Sequence, residues 1–159
     1  MSRIILDGAI TESTWTTVEA GADHSAANVL VTIDDYAADP GLQGRKDAGV
    51  WVAADDDIDR LQAHVGSLEL IALHFPAFTD GRALSHATTL RMRTGYTGEL
   101  RAIGDVRRDQ IEQMLRCGIN AFELPEGADV DAALDGLKEF SHSYQTSTNT
   151  PEPLFRKRS

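Results

Sequence analysis

The stretch LELIALHFPAFTDGRALSHATTLRMRTGYTGELRAIGD, residues 68–105, decides how this chain folds. It opens on one apolar run, LELIALH (68–74), and closes on another, ELRAI (99–103). Between them, Ala83, Leu84, Ala87 and Leu90 repeat at the spacing that gives a helix one apolar face. Gly95 suits the residue just past that helix, and GYTGE (95–99) turns the chain into the second run. An apolar run, a helix and a second apolar run define a βαβ unit, with parallel strands and a right-handed crossover.

The alternation continues on both sides. VWVAA (50–54) precedes it and INAFEL (119–124) follows, and each run leads into a helical pattern. Ile58, Leu61 and Val65 predict a first helix. Ile111, Met114 and Leu115 predict a third, and Val130, Ala133, Leu134 and Leu137 a fourth. Asp55 or Asp56, Asp80, Asp105 and Asp129 stand where helix caps belong, and Gly118 stands where the third helix should end. The expected fold class is α/β, with four βα units over 50–144 and a mainly parallel sheet, either open and doubly wound or half-barrel-like. A β-rich part over 1–49 precedes them. There Asp7-Gly8 predicts a hairpin, NVLVTI (28–33) a strand and DPGLQGRKDAG (39–49) a loop. Residues 1–144 read as one domain. Residues 145–159, QTSTNTPEPLFRKRS, read as a flexible polar tail, or as a docking peptide anchored by Leu154 and Phe155.

A formal charge of −10 argues against nucleic acid as the main partner. The apolar runs are too short to span a bilayer and no signal peptide is evident, so a cytoplasmic protein without a membrane role is expected. The single cysteine, Cys117, excludes an internal disulfide and a CxxC pair, and reads as a buried inert thiol. No dinucleotide fingerprint, phosphate loop, nucleophile elbow, zincin pair or iron–sulfur ligand set is present, so the cofactor is left unknown. Asp55, Asp57 and His74 are of the types that bind a hard metal, but nothing in the sequence shows that they converge. Oligomeric state is likewise open.

The charge is unevenly spread. From His74 to Arg116 there are seven arginines against five acids, which leaves eight basic residues against twenty acids elsewhere. Ligands of open parallel sheets sit beyond the carboxyl ends of the strands. That rule collects Asp55, His74, Asp80, Arg82, Asp105 and Glu126 on one rim. On the helix that follows, Arg82, His86, Thr89 and Arg93 form a second, cationic stripe. Arg82 stands in the first turn, where a cation opposes the helix dipole and the free N–H groups favour an anion. Arg82, His86, Arg93 and Arg101 are therefore the candidate anion-binding residues for a small oxyanion, and His74 and Asp80 the candidate acid–base pair of an enzyme. Each also has a plainer reading: the aspartates as caps, His74 as a satisfied core histidine, Arg82, Arg91 and Arg93 as surface ion pairs.

One family shares this stretch. FPAFTDGRALSHATTLR and GYTGELRAIGDVRRDQ resemble a bacterial family of uncharacterised proteins, domain of unknown function 934. Phe75, Pro76, Phe78, Asp80, Gly81, Arg82, Ser85, Ala87, Leu90, Arg91 and Arg93 match its pattern. So do Gly95, Tyr96, Gly98, Glu99, Leu100, Arg101, Ala102, Gly104, Asp105, Val106, Asp109 and Gln110. CGINAFEL and Tyr144-Gln145 are similar to later positions, while Leu84 stands where members more often carry an aromatic residue. The family is commonly encoded beside assimilatory sulfite reductase and labelled an oxidoreductase of sulfite reduction. The resemblance thus implies a role in sulfate assimilation and cysteine supply, with sulfite reductase or a neighbouring enzyme as partner. Two readings follow: an accessory protein that binds an oxyanion or docks on sulfite reductase, or an enzyme acting on a small anionic substrate.

Overall fold

The structure is a computed structural model that describes residues 2–76 and 81–137. Asp80 and the segment 145–159 lie outside the described residues. The strands are β1 Ser2–Leu6, β2 Ala9–Ser13, β3 Thr16–Thr17, β4 Val29–Val31, β5 Ala48–Val52, β6 Leu70–Phe75, β7 Glu99–Gly104 and β8 Ala121–Glu123. The helices are α1 Ile33–Ala38, α2 Pro40–Gln43, α3 Gly81–Met92, α4 Ile111–Arg116 and α5, residues 130–137. The eight strands form one sheet in the order β2-β1-β8-β7-β6-β5-β4-β3. Strands β3 to β8 are parallel neighbours in sequence order, while β1 runs antiparallel to both β8 and β2.

That order chooses between the two expected architectures. A doubly wound sheet reverses its strand order partway, which puts helices on both faces. Here every parallel crossover advances in the same direction, so right-handed connections carry the helices to a single face. The main core confirms it. One cluster joins Tyr36 of α1, Leu42 of α2, Ala83, Ala87 and Leu90 of α3, Met114 of α4 and Leu137 of α5 with Val50, Ile71, Leu73, Leu100 and Phe122 of the sheet. Leu30, Leu70, Ala72 and Ile103 point to the other face, where Trp15 and Trp51 pack against them.

The sheet must also curl. Its two edges, β2 and β3, are joined by Thr14 and Trp15 alone. Three Cα–Cα steps span at most about 11 Å. Eight flat strands would hold those edges roughly 34 Å apart at about 4.8 Å per strand. The link therefore bends the sheet into a half-barrel whose concave face carries no helix among the described residues. Across that face Arg101 of β7 donates Nη1–H to Ser13 Oγ of β2 at 2.7 Å, and Trp51 of β5 donates Nε1–H to Val18 O at 2.9 Å.

Several local expectations hold. Asp7 and Gly8 turn β1 into β2 with positive φ at both, the geometry of a two-residue hairpin. Gly118, at φ +103°, ends α4 as expected, although Cys117 before it, read as a buried thiol, is only half-buried as the C-cap. Asp129 accepts from Ala132 N at the start of α5. Others differ. The helix expected from Ile58 is a 3₁₀ turn, Ile58–Leu61, capped by Asp57 and continued by i→i+3 bonds as far as Ser67. Ile58 and Leu61 are spaced by three, which satisfies a 3₁₀ turn, and Gly66 ends the segment before an α-helix is established. The strand read over 28–33 stops at Val31. Thr32 then caps α1 through Asp35 N–H, and the loop read over 39–49 contains α2, with Asp39 as cap and Pro40 at its first position. The third helix starts without a side-chain cap, because Asp105 pairs with Arg107 instead.

Candidate functional site in the mouth of the half-barrel

Strand alternation and register place the concave residues in rows. Leu30, Gly49, Leu70 and Glu99 share the lowest row. A Cβ on Gly49 would sit 2.9 Å from the Leu30 side chain and 2.6 Å from Leu70 O, so the row closes only over glycine. Above it come Trp51, Ala72, Arg101 and Ala121. Large and small side chains alternate here, as in the interior of a small barrel. His74 and Ile103 form the top row, at the carboxyl ends of the parallel strands. Glu123 joins them one step beyond the Ala102–Phe122 pair, and is itself paired with Ile4 of β1.

Arg101, 3% exposed, sits beneath this row. Its Nε–H donates to Glu99 Oε2 at 2.8 Å and its Nη1–H to Ser13 Oγ; Nη2 has no partner among the described residues. The buried cation is thus balanced within its own strand while it braces β7 against β2. His74 is half-buried, with its ring edge-on to Trp51 at 6.2 Å between centroids. Gly104, at φ +87°, lies against the other side of the ring: a Cβ there would come 2.9 Å from His74 Nε2 and 2.5 Å from Phe75 O. Glu123 is half-buried too. Neither His74 nor Glu123 has a hydrogen-bond or ion-pair partner among the described residues. An uncommitted imidazole and an uncommitted carboxylate at a strand-exit mouth are a pair able to move protons or hold a polar ligand.

The arginine-rich segment separates into different roles. Arg91, 5% exposed, is structural. Its guanidinium donates to the carbonyls of Gly118, Tyr96 and Gly98 at 2.8–2.9 Å and lies 3.5 Å from Asn120 Oδ1. Asn120 in turn accepts from Leu100 N–H and donates to Asp7 Oδ1, so the buried charge is relayed to a carboxylate in the hairpin turn. Arg93 faces Asp59 at 3.7 Å, Arg107 pairs with Asp105 and Arg116 with Glu112. Arg82 and Arg108 are exposed, and Arg108 has no partner among the described residues.

The sequence-derived candidates therefore lie on two sides of the sheet. Arg82, His86 and Arg93 all lie on or just beyond α3, on the helical face. His86 Nε2 lies 3.1 Å from Ala54 O, which makes that nitrogen a donor. Arg101 is on the concave face, separated from them by the sheet. His74 is also concave, above Arg101. The loops after β6 and β7 leave side by side, since Phe75 pairs with Gly104 and Asp105 N–H donates to Phe75 O at 2.9 Å. Arg82, Asp105, Arg107 and Arg108 follow those two exits. Glu123 was missed by sequence reasoning. The signal for it was the alternation in INAFEL, where Phe122 and Leu124 take one face and Ala121 and Glu123 the other.

A second polar cluster ties down the segment before β4. His24 Nε2 and Asp39 Oδ2 are 3.1 Å apart, and Arg45 donates to His24 O, Ala26 O and Asp47 Oδ1. The His24 ring beside Asp39 holds that carboxyl below the ordinary aspartate range, helped by Gly41 N–H. Arg45 does the same to Asp47, and Ser25 N–H to Asp23.

These observations define an α/β half-barrel with no helix on its concave face among the described residues and a polar mouth at the carboxyl ends of its parallel strands. Residues 49–155 match the family model of bacterial proteins of unknown function (DUF934), and the chain belongs to that family. Among curated proteins, nothing matches the sequence. No helix among the described residues is long and apolar enough to cross a membrane.

Proposed function

We propose that this protein is a cytoplasmic accessory factor of assimilatory sulfite reduction and cysteine supply. It takes a small oxyanion, or an anionic group of sulfite reductase or a neighbouring enzyme, at the rim where β6 and β7 end. The observation that carries the reading is the side-by-side exit of the two strands. The loops that leave these strands lead to Arg82 at the start of α3 and to Arg107 and Arg108, all exposed on a protein of net charge −10. Guanidinium forks suit sulfite, sulfate and phosphate oxygens and keep their charge at any cellular pH. The resemblance to a family encoded beside sulfite reductase supplies the pathway.

The test is thermal unfolding with sulfite, sulfate and phosphate, beside Arg82→Ala and Arg108→Ala, and a pull-down against sulfite reductase. An oxyanion at 100 times its dissociation constant stabilises by about 2.7 kcal/mol. At about 2–4 °C per kcal/mol that raises Tm by roughly 5–10 °C. A rise lost in both variants supports the rim. No rise, together with no capture of sulfite reductase, overturns it.

The second reading, an enzyme acting on a small anionic substrate, is favoured by the His74 ring, which has no hydrogen-bond partner among the described residues. In that reading His74 serves as acid or base, Arg101 stabilises the substrate's charge from beneath, and Asp80 is the other candidate. His74→Gln would then abolish turnover with the fold intact, whereas the accessory reading leaves oxyanion binding and docking unchanged in that variant.

A further inference from the structure

The top row of the concave face has two walls of opposite character. His74 stands on β6 and Glu123 on β8, with Ile103 between them as floor. Two strand spacings set the walls about 9.6 Å apart at the backbone, a span on the scale of a small molecule once the two side chains are counted. The Arg101 guanidinium lies one row below, its Nη2 without a partner among the described residues. Trp51 backs the imidazole. No ion pair joins His74 to Glu123, and neither has another partner among the described residues. A half-buried carboxylate left without a partner calls for an occupant that supplies one.

The sign of the walls selects that occupant. A simple anion gains the imidazole N–H and Arg101 but meets the Glu123 carboxylate. A simple cation gains Glu123 but meets Arg101. A small molecule carrying both charges satisfies both walls. We propose that the mouth of the half-barrel is a binding site for a free α-amino acid. The ammonium group donates to Glu123, the carboxylate accepts from His74 and Arg101 Nη2, and the side chain points out past Trp51. Charge-assisted hydrogen bonds at both ends give the specificity, because a ligand lacking either end strands one wall. The site is separate from the rim that follows β6 and β7, since it lies on the sheet face opposite α3 and uses no residue of that helix.

The experiment screens the full chain by thermal shift with each of the twenty L-amino acids at millimolar concentration. Acetate and ethylammonium at the same concentration serve as half-ligands, and the best amino acid is then titrated by calorimetry. Glu123→Gln and His74→Gln are the variants; both positions are half-buried, so the unliganded Tm should stay close to wild type. The expected result is a Tm rise with at least one amino acid, none with acetate or ethylammonium, and affinity reduced at least tenfold in Glu123→Gln. A panel with no rise overturns the proposal, as does a rise that acetate alone reproduces or one that Glu123→Gln retains in full. A sulfite response that survives in Glu123→Gln belongs to the rim, so the two sites fail independently.

Discussion

Replacing Gly104 with alanine tests whether the mouth is built as described. Gly104 ends β7 at φ +87°, where an L-residue costs about 1–2 kcal/mol. The new Cβ would also sit 2.5 Å from Phe75 O and 2.9 Å from His74 Nε2. The carbonyl cannot withdraw, because it accepts from Asp105 N–H. Overpacking of this kind adds about 1–3 kcal/mol. The sum, about 2–5 kcal/mol, lowers Tm by roughly 4–20 °C for a chain of this size. Gly8→Ala is the control. It has a similar φ of +82° but nothing within 4 Å of its would-be Cβ, so it carries the backbone strain alone. Urea unfolding followed by circular dichroism gives the stabilities, and tryptophan fluorescence reports on Trp51, which touches the displaced imidazole. If Gly104→Ala costs no more than Gly8→Ala, the His74 ring is not held against β7 and the argument for a fixed imidazole wall collapses.

Other perturbations have equally definite outcomes. Arg91→Met strands the carbonyls of Tyr96, Gly98 and Gly118 and should cost at least about 3 kcal/mol in urea unfolding, since each buried orphan costs about 1–3 kcal/mol. Asp57→Ala removes the acceptor for Asp59 N–H at the 3₁₀ turn and should cost about 1 kcal/mol. Because Asp39, Asp47 and Asp23 are held below the ordinary aspartate range when folded, their contribution is complete above that range and lost as pH falls through the lowered values. A Tm profile from neutral pH down to about pH 3 should therefore decline on its acid side, and less steeply in Asp39→Ala.

Much of the architecture was legible because the strands of an α/β protein are apolar on both faces and short. VWVAA, LELIALH, ELRAI and INAFEL each overlap a strand, and the Ala83–Leu90 stripe is the buried side of α3. The failures have physical causes. IDDYAA has only Ile33 and Tyr36 to bury, too few to signal α1, and its cap Thr32 reads equally well as a strand residue. Seven clustered arginines suggested one site, yet two of them, Arg91 and Arg101, are buried braces on opposite sides of the sheet. Their different destinations depend on which strands are neighbours, and a one-dimensional pattern does not hold that information. Strand alternation did hold the side on which Arg101 lies, between Leu100 and Ala102, and would have paired it with Glu123 rather than with α3.

The pairing of β1 with β8 has a consequence for how the chain is made. Ile4 meets Glu123, so the first strand is complete long before its partner exists. At about 5–20 residues per second the ribosome takes roughly 6–24 s to synthesise the intervening chain. Until then the β1–β2 hairpin stands alone, and an isolated hairpin is marginal in water. The parallel strands can therefore pair in chain order from β3 to β8, and the β1–β2 hairpin finds its place on the sheet only once β8 has been added.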